Sequence, residues 1–110
     1  MTIYNGQVLE GTEKPHGVGI LVWWTGRIFE GTWKNGLLCG FGRRIDKSGE
    51  YYIGDFKFSE KCGQGTFYLN SGAKYSGEWK NDQRNGQGTE YNADGSISRS
   101  GEWKEDKFIG

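Results

Sequence analysis

The residues able to do chemistry are few and poorly placed for it. The single histidine, His16, follows Pro15 in a short loop, with no carboxylate or nucleophile beside it. Cys39 and Cys62 stand 23 residues apart with no histidine near either, so they make no zinc site. The acid–base pairs Asp55/Lys57, Glu78/Lys80 and Glu102/Lys104 recur at almost the same spacing, which puts them on a repeated, solvated face and not in a converged cleft. The pairs Gly17/Gly19, Gly40/Gly42, Gly63/Gly65 and Gly86/Gly88 are not phosphate loops, because no helix follows to supply an N-terminal dipole. The chain is expected to be no enzyme, and to need no cofactor and no metal.

The order in the chain lies in its glycines. Gly31, Gly54 and Gly77 form a series with a period of 23, joined one residue late by Gly101. The Gly-x-Gly pairs and the column Gly26, Gly49, Gly72 and Gly95 keep the same period. Columns in register at such a period mean one small supersecondary unit, copied and stacked. Within a unit, Tyr75-Ser76-Gly77-Glu78-Trp79-Lys80 matches Tyr52-Ile53-Gly54-Asp55-Phe56-Lys57 and Phe29-Glu30-Gly31-Thr32-Trp33-Lys34. Successive strand residues point to opposite faces, so Tyr75, Gly77 and Trp79 share one face and Ser76, Glu78 and Lys80 the other. A polar connection follows (Asn35-Gly36, Asn81-Asp82), then Gly-x-Gly and a second strand, then a tight turn such as Asn70-Ser71-Gly72. Paired glycines inside a strand mark close approach, here by the Trp or Phe of the preceding strand. The expected fold is all-β: an open, single-layer antiparallel meander of hairpins, without helices.

Composition agrees. The 110 residues carry 34% hydrophobic and 15% aromatic residues with 20 glycines, which suits a thin sheet with aromatics lying over glycine. Fourteen basic residues balance fourteen acidic ones. That balance argues against a nucleic-acid partner and weakens the case for an anionic membrane. No apolar run reaches the roughly 18 residues of a transmembrane helix, and no leader pattern opens the chain. Equivalent positions of adjacent hairpins lie two strands apart, about 9–10 Å, too far for a disulfide. Cys39 and Cys62 are therefore read as free thiols, favouring a reducing, cytoplasmic setting.

The terminal units look irregular. Gly11 precedes Gly17 by 6 where Gly31 precedes Gly40 by 9, so the first unit is read as Gln7-Val8-Leu9-Glu10-Gly11 with a shortened loop, Leu9 and Glu13 standing where others carry aromatics. At the other end Ser100-Gly101-Glu102-Trp103-Lys104 opens a partial unit in which Ser100 replaces Tyr. The units run 7–28, 29–51, 52–74, 75–99 and, in part, 100–110. The string Tyr-x-Gly-x-Trp-x-x-Gly…Gly-x-Gly…Gly at this period resembles the MORN (membrane occupation and recognition nexus) repeat, with three full copies from Phe29 to Arg99. The resemblance implies a curved sheet of hairpins with aromatics along a groove, serving contacts between proteins, dimerisation and in some members lipid association.

The ladder Phe29, Trp33, Tyr52, Phe56, Tyr75, Trp79 and Trp103 is first of all packing, since a single layer has no second sheet to cover it. It is also the candidate partner-binding groove, because part of each ring should stay exposed and Tyr and Trp are favoured at binding hot spots. The expected function is a non-catalytic scaffold or adaptor holding a protein partner, with homodimerisation through groove or edges. The alternatives are a phospholipid-docking module and a regulatory domain of a larger enzyme.

Overall fold

The computed structural model describes residues 2–110, which form one open sheet whose strand order follows the chain. The strands are β1 (Ile3–Val8), β2 (Pro15–Val22), β3 (Ile28–Lys34), β4 (Leu37–Ile45), β5 (Tyr51–Lys57), β6 (Glu60–Tyr68), β7 (Lys74–Lys80), β8 (Gln83–Tyr91), β9 (Ile97–Lys104) and β10 (Lys107–Phe108). Each pairs antiparallel with the next, no helix occurs among the described residues, and the sheet extends 49 × 24 × 18 Å. The core is one-sided. Phe29, Trp33, Leu38, Tyr52, Phe56, Tyr75, Trp79 and Trp103 are its buried members, all on the aromatic face of the strands.

The glycine pairs admit a different ring from the one their spacing suggested. Gly54 faces Gly65 and Gly77 faces Gly88 across β5–β6 and β7–β8. The side chain lying over each pair is the tyrosine of the same hairpin. Tyr52 donates its hydroxyl hydrogen to the Asp55 carbonyl at 2.9 Å, and Tyr75 to that of Glu78 at 3.1 Å. The tryptophans reach the other way, toward the preceding hairpin. The indole N–H groups of Trp33, Trp79 and Trp103 donate to the carbonyls of Gly19, Gly65 and Gly88 at 2.9, 3.0 and 3.1 Å. Each tyrosine thus locks its own hairpin, and each tryptophan ties one hairpin to the last.

Both terminal units depart from the sequence reading. Gly6, not Gly11, pairs with Gly19, and the Tyr4 hydroxyl bonds the Gln7 carbonyl as Tyr75 bonds that of Glu78. The first unit therefore opens at Tyr4-Asn5-Gly6, and its glycines lie farther apart along the chain than Gly31 and Gly42, so its loop is lengthened. At the far end Gly101 pairs with Gly88 and Arg99 with Glu90, which puts Arg99, not Ser100, where Tyr75 stands in the previous unit.

The polar side chains of the opposite face do more than solvate it. Register shifts between Gly54 and Phe56 and between Gly77 and Trp79 interrupt the ladder. The Asp55 carboxylate accepts the Gln64 N–H at 3.1 Å, and Glu78 accepts that of Gln87 at 2.6 Å. Gln7 does the same for Val18 at 2.8 Å. Nor is this face uniformly charged, since Val18 and Phe41 are well exposed on it beside Ile20 and Ile53.

Two-residue turns close the hairpins at Asn35-Gly36, Phe58-Ser59, Asn81-Asp82 and Glu105-Asp106, with positive φ at every position. That geometry favours Asn and Gly. Phe58, at φ 53°, is exposed and pays for its conformation without burial. Phe58→Asn should raise stability by about 1 kcal/mol, read as a higher urea midpoint at unchanged slope; an unchanged or lower midpoint would refute this. The second turn residue also stitches hairpins together. Asp82 donates its N–H to the Lys61 carbonyl and accepts the Lys61 N–H on its carboxylate, and Asp106 repeats both bonds with Arg84. Ser59 does so with Leu38.

Candidate functional site

Strand alternation and the period bring all seven candidate residues together. Tyr52 and Tyr75 alternate with Phe56, Trp79 and Trp103 in an edge-to-face chain. Centroids are 5.1 Å apart for Tyr52–Phe56, 5.2 Å for Tyr52–Trp79, 5.1 Å for Tyr75–Trp79 and 5.2 Å for Tyr75–Trp103. Such pairs add about 0.5–1.5 kcal/mol each beyond area burial. Phe29 and Trp33 continue the row, and Tyr4 meets Trp33 at 5.7 Å. The rings are the floor of this face: none of the seven exceeds 8% exposure.

What covers them is a second set of side chains that the sequence reading passed over. Trp33 pairs with Leu38, Phe56 with Lys61, Trp79 with Arg84 and Trp103 with Phe108. Leu38, Lys61 and Arg84 thus occupy one column at the period of 23, and their stems roof the neighbouring rings. The Lys61 ammonium lies 4.4 Å from the Trp79 centroid and 5.1 Å from that of Phe67. The Arg84 guanidinium lies 4.5 Å from Trp103, and Arg99, in the tyrosine position, 5.1 Å from the same ring. The signal was present as a column of long-stemmed residues, masked by their unlike chemistry.

Between these covers opens a cleft of about 260 Å³, lined by Lys61, Phe67, Leu69, Tyr75, Trp79 and Arg84 with the carboxylates of Asp82, Glu90 and Asp106. Phe67 is half-buried against the core and Leu69 is exposed, so this wall is apolar and open. Burial, helped by nearby Arg44, brings the Lys61 ammonium down to about 8. Burial pushes the Tyr52 and Tyr75 phenols up, so both stay neutral. The Arg99 hydrogen bond holds the Glu90 carboxyl below its ordinary range. No group of three or more His, Cys, Asp or Glu suited to a metal occurs among the described residues, and Cys39 and Cys62 are free thiols.

Comparison with known proteins accords with this architecture. A 39-residue stretch is 49% identical to Alsin of Rattus norvegicus, covering 36% of this chain and 2% of that protein. The MORN repeat matches residues 29–51, 52–74 and 75–97, three consecutive hairpin units and well over half of the chain. The chain belongs to the MORN repeat family, whose repeats are non-catalytic modules of protein or membrane interaction.

Proposed function

We propose that the chain is a non-catalytic protein-interaction scaffold that seats an extended or helical partner segment along the aromatic face, over the floor of Tyr52, Phe56, Tyr75, Trp79 and Trp103. The observation that carries this reading is the open apolar wall of Phe67 and Leu69 above a buried floor of packed rings. Preorganised aromatic clefts bind at little ordering cost. A reducing, cytoplasmic setting suits its free thiols.

The test uses dodecamers selected on the protein from a random display library. Leu69→Asp should weaken the selected peptides at least tenfold, and Val18→Asp, on the opposite face, should leave them unchanged. The reverse pattern would move the site to the opposite face and overturn the reading. Substitutions of the floor rings are unsuitable here, because truncating a buried aromatic costs about 3–5 kcal/mol.

The membrane alternative has one observation in its favour. The β2–β3 turn exposes Trp23 and Trp24, with Arg27 beside them and the Lys47 stem close to Gly26. Indole rings and cations at a loop tip suit an interface. Co-sedimentation with anionic vesicles that Trp24→Ala abolishes would support that alternative; no co-sedimentation is the outcome expected here.

A further inference from the structure

Lys61 is the unmatched charge of the aromatic face. Arg27 lies 3.0 Å from Asp46, Arg44 3.4 Å from Asp82, Arg84 3.2 Å from Asp106 and Arg99 3.2 Å from Glu90. Those four cations and four carboxylates balance. The Lys61 ammonium, among the described residues, has no carboxylate within 4 Å and no hydrogen-bond acceptor, although the side chain is only 7% exposed and lines the cleft. Its stem is buried over ring faces while the ammonium tip keeps contact with the solvent of the cleft, and holding a cation there without a protein acceptor costs part of its hydration.

We infer that Lys61 captures one carboxylate of a partner's Asp or Glu side chain, while an apolar neighbour of that residue packs on Phe67 and Leu69. One negative charge completes the balance of the face. A phosphate dianion would add a second charge to a cleft already lined by Asp82, Glu90 and Asp106, which favours the carboxylate over a phosphorylated residue or lipid headgroup. The inference rests on the protein-interaction reading and names the chemistry of its partner.

Lys61 faces Arg44 from β4, Tyr52 from β5, Tyr75 from β7, Arg84 and Glu90 from β8, and the turn carboxylates Asp46, Asp82 and Asp106. Burial raises the two phenols, which stay neutral near pH 8, and lowers the Lys61 ammonium to about 8, so the change in capture there belongs to Lys61. Affinity should fall as pH rises through that value.

The experiment measures, by fluorescence anisotropy, the affinity of the library-selected dodecamers and of versions with the carboxylate residue changed to its amide or to phosphoserine. It uses wild type, Lys61→Met and Lys61→Arg. At pH 7 the amide version should bind wild type about 10- to 100-fold more weakly. Lys61→Met should abolish that difference while Lys61→Arg keeps most of it. Wild type should lose about tenfold between pH 7 and 9.5. Equal binding of carboxylate and amide peptides, indifference to Lys61→Met, or tighter binding of the phosphoserine version or of phosphoinositide vesicles would overturn the inference. Selected peptides that lack a carboxylate yet respond to Leu69→Asp would overturn it while leaving the protein-interaction reading intact. Failure to select any peptide would overturn both.

Discussion

Lys61→Met should melt higher than the wild type at pH 7, and the advantage should disappear toward pH 10.5. Burial first, and the nearby Arg44 second, lower the Lys61 ammonium from 10.5 to about 8. The unfolded chain therefore holds more protons than the folded one between those values, and stability rises with pH across that window. Below pH 8 the full penalty is present, at most about 3 kcal/mol for such a shift. The ring faces of Trp79 and Phe67 return about 1 kcal/mol to the charged form. The net gain from Met, which keeps an apolar stem over Trp79, is then about 2 kcal/mol, or roughly 8 °C for a domain of this size. A variant that melts no higher at pH 7, or whose advantage does not shrink with pH, would show that Lys61 is comfortably solvated where it sits. A residue that costs stability and touches the cleft is the kind retained for binding.

Gly88→Ala should cost about 3 kcal/mol or more and unfold the C-terminal hairpins. A Cβ there would lie 2.5 Å from Cε2 of Tyr75 and closer still to its hydroxyl end. Tyr75 has nowhere to go, since it is buried between Trp79 and Trp103 and fixed by its hydroxyl to the Glu78 carbonyl. Overpacking of an immobile site exceeds the usual 1–3 kcal/mol. Gly95→Ala is the control: its φ of +90° is unfavourable for alanine, but nothing stands within 4 Å of the added carbon. It should cost only about 1 kcal/mol. Urea unfolding followed by circular dichroism ranks the two, and equal costs would mean that Tyr75 does not require the space over Gly88.

The contrast between what the sequence reveals and what it hides follows from packing. The glycine period and the alternation around Tyr75, Gly77 and Trp79 expose the meander, because each copy solves the same steric problem with the same residues. The first unit is hidden because Tyr4-Asn5-Gly6 carries the local pattern off the period, its loop having lengthened. Arg99 is hidden because a guanidinium replaces a phenol over the same ring, keeping the stacking and losing the likeness. The floor of the candidate site is legible as an aromatic ladder. Its cover is not, since Leu38, Lys61 and Arg84 share only stem length and a place across from Trp33, Phe56 and Trp79. Which rings stay accessible depends on those stems, so exposure could not be read from the ladder itself.

The chain's five tryptophans report on the central claim, that a partner lies on the aromatic face. Trp33, Trp79 and Trp103 stand on that face, and Trp23 and Trp24 at the exposed β2–β3 turn. Indole N–H resonances followed by nuclear magnetic resonance during titration with a library-selected peptide separate the two sets. Trp79 and Trp103 should shift while Trp23 and Trp24 stay fixed. Shifts confined to Trp23 and Trp24, or no indole shift at saturating peptide, would contradict it.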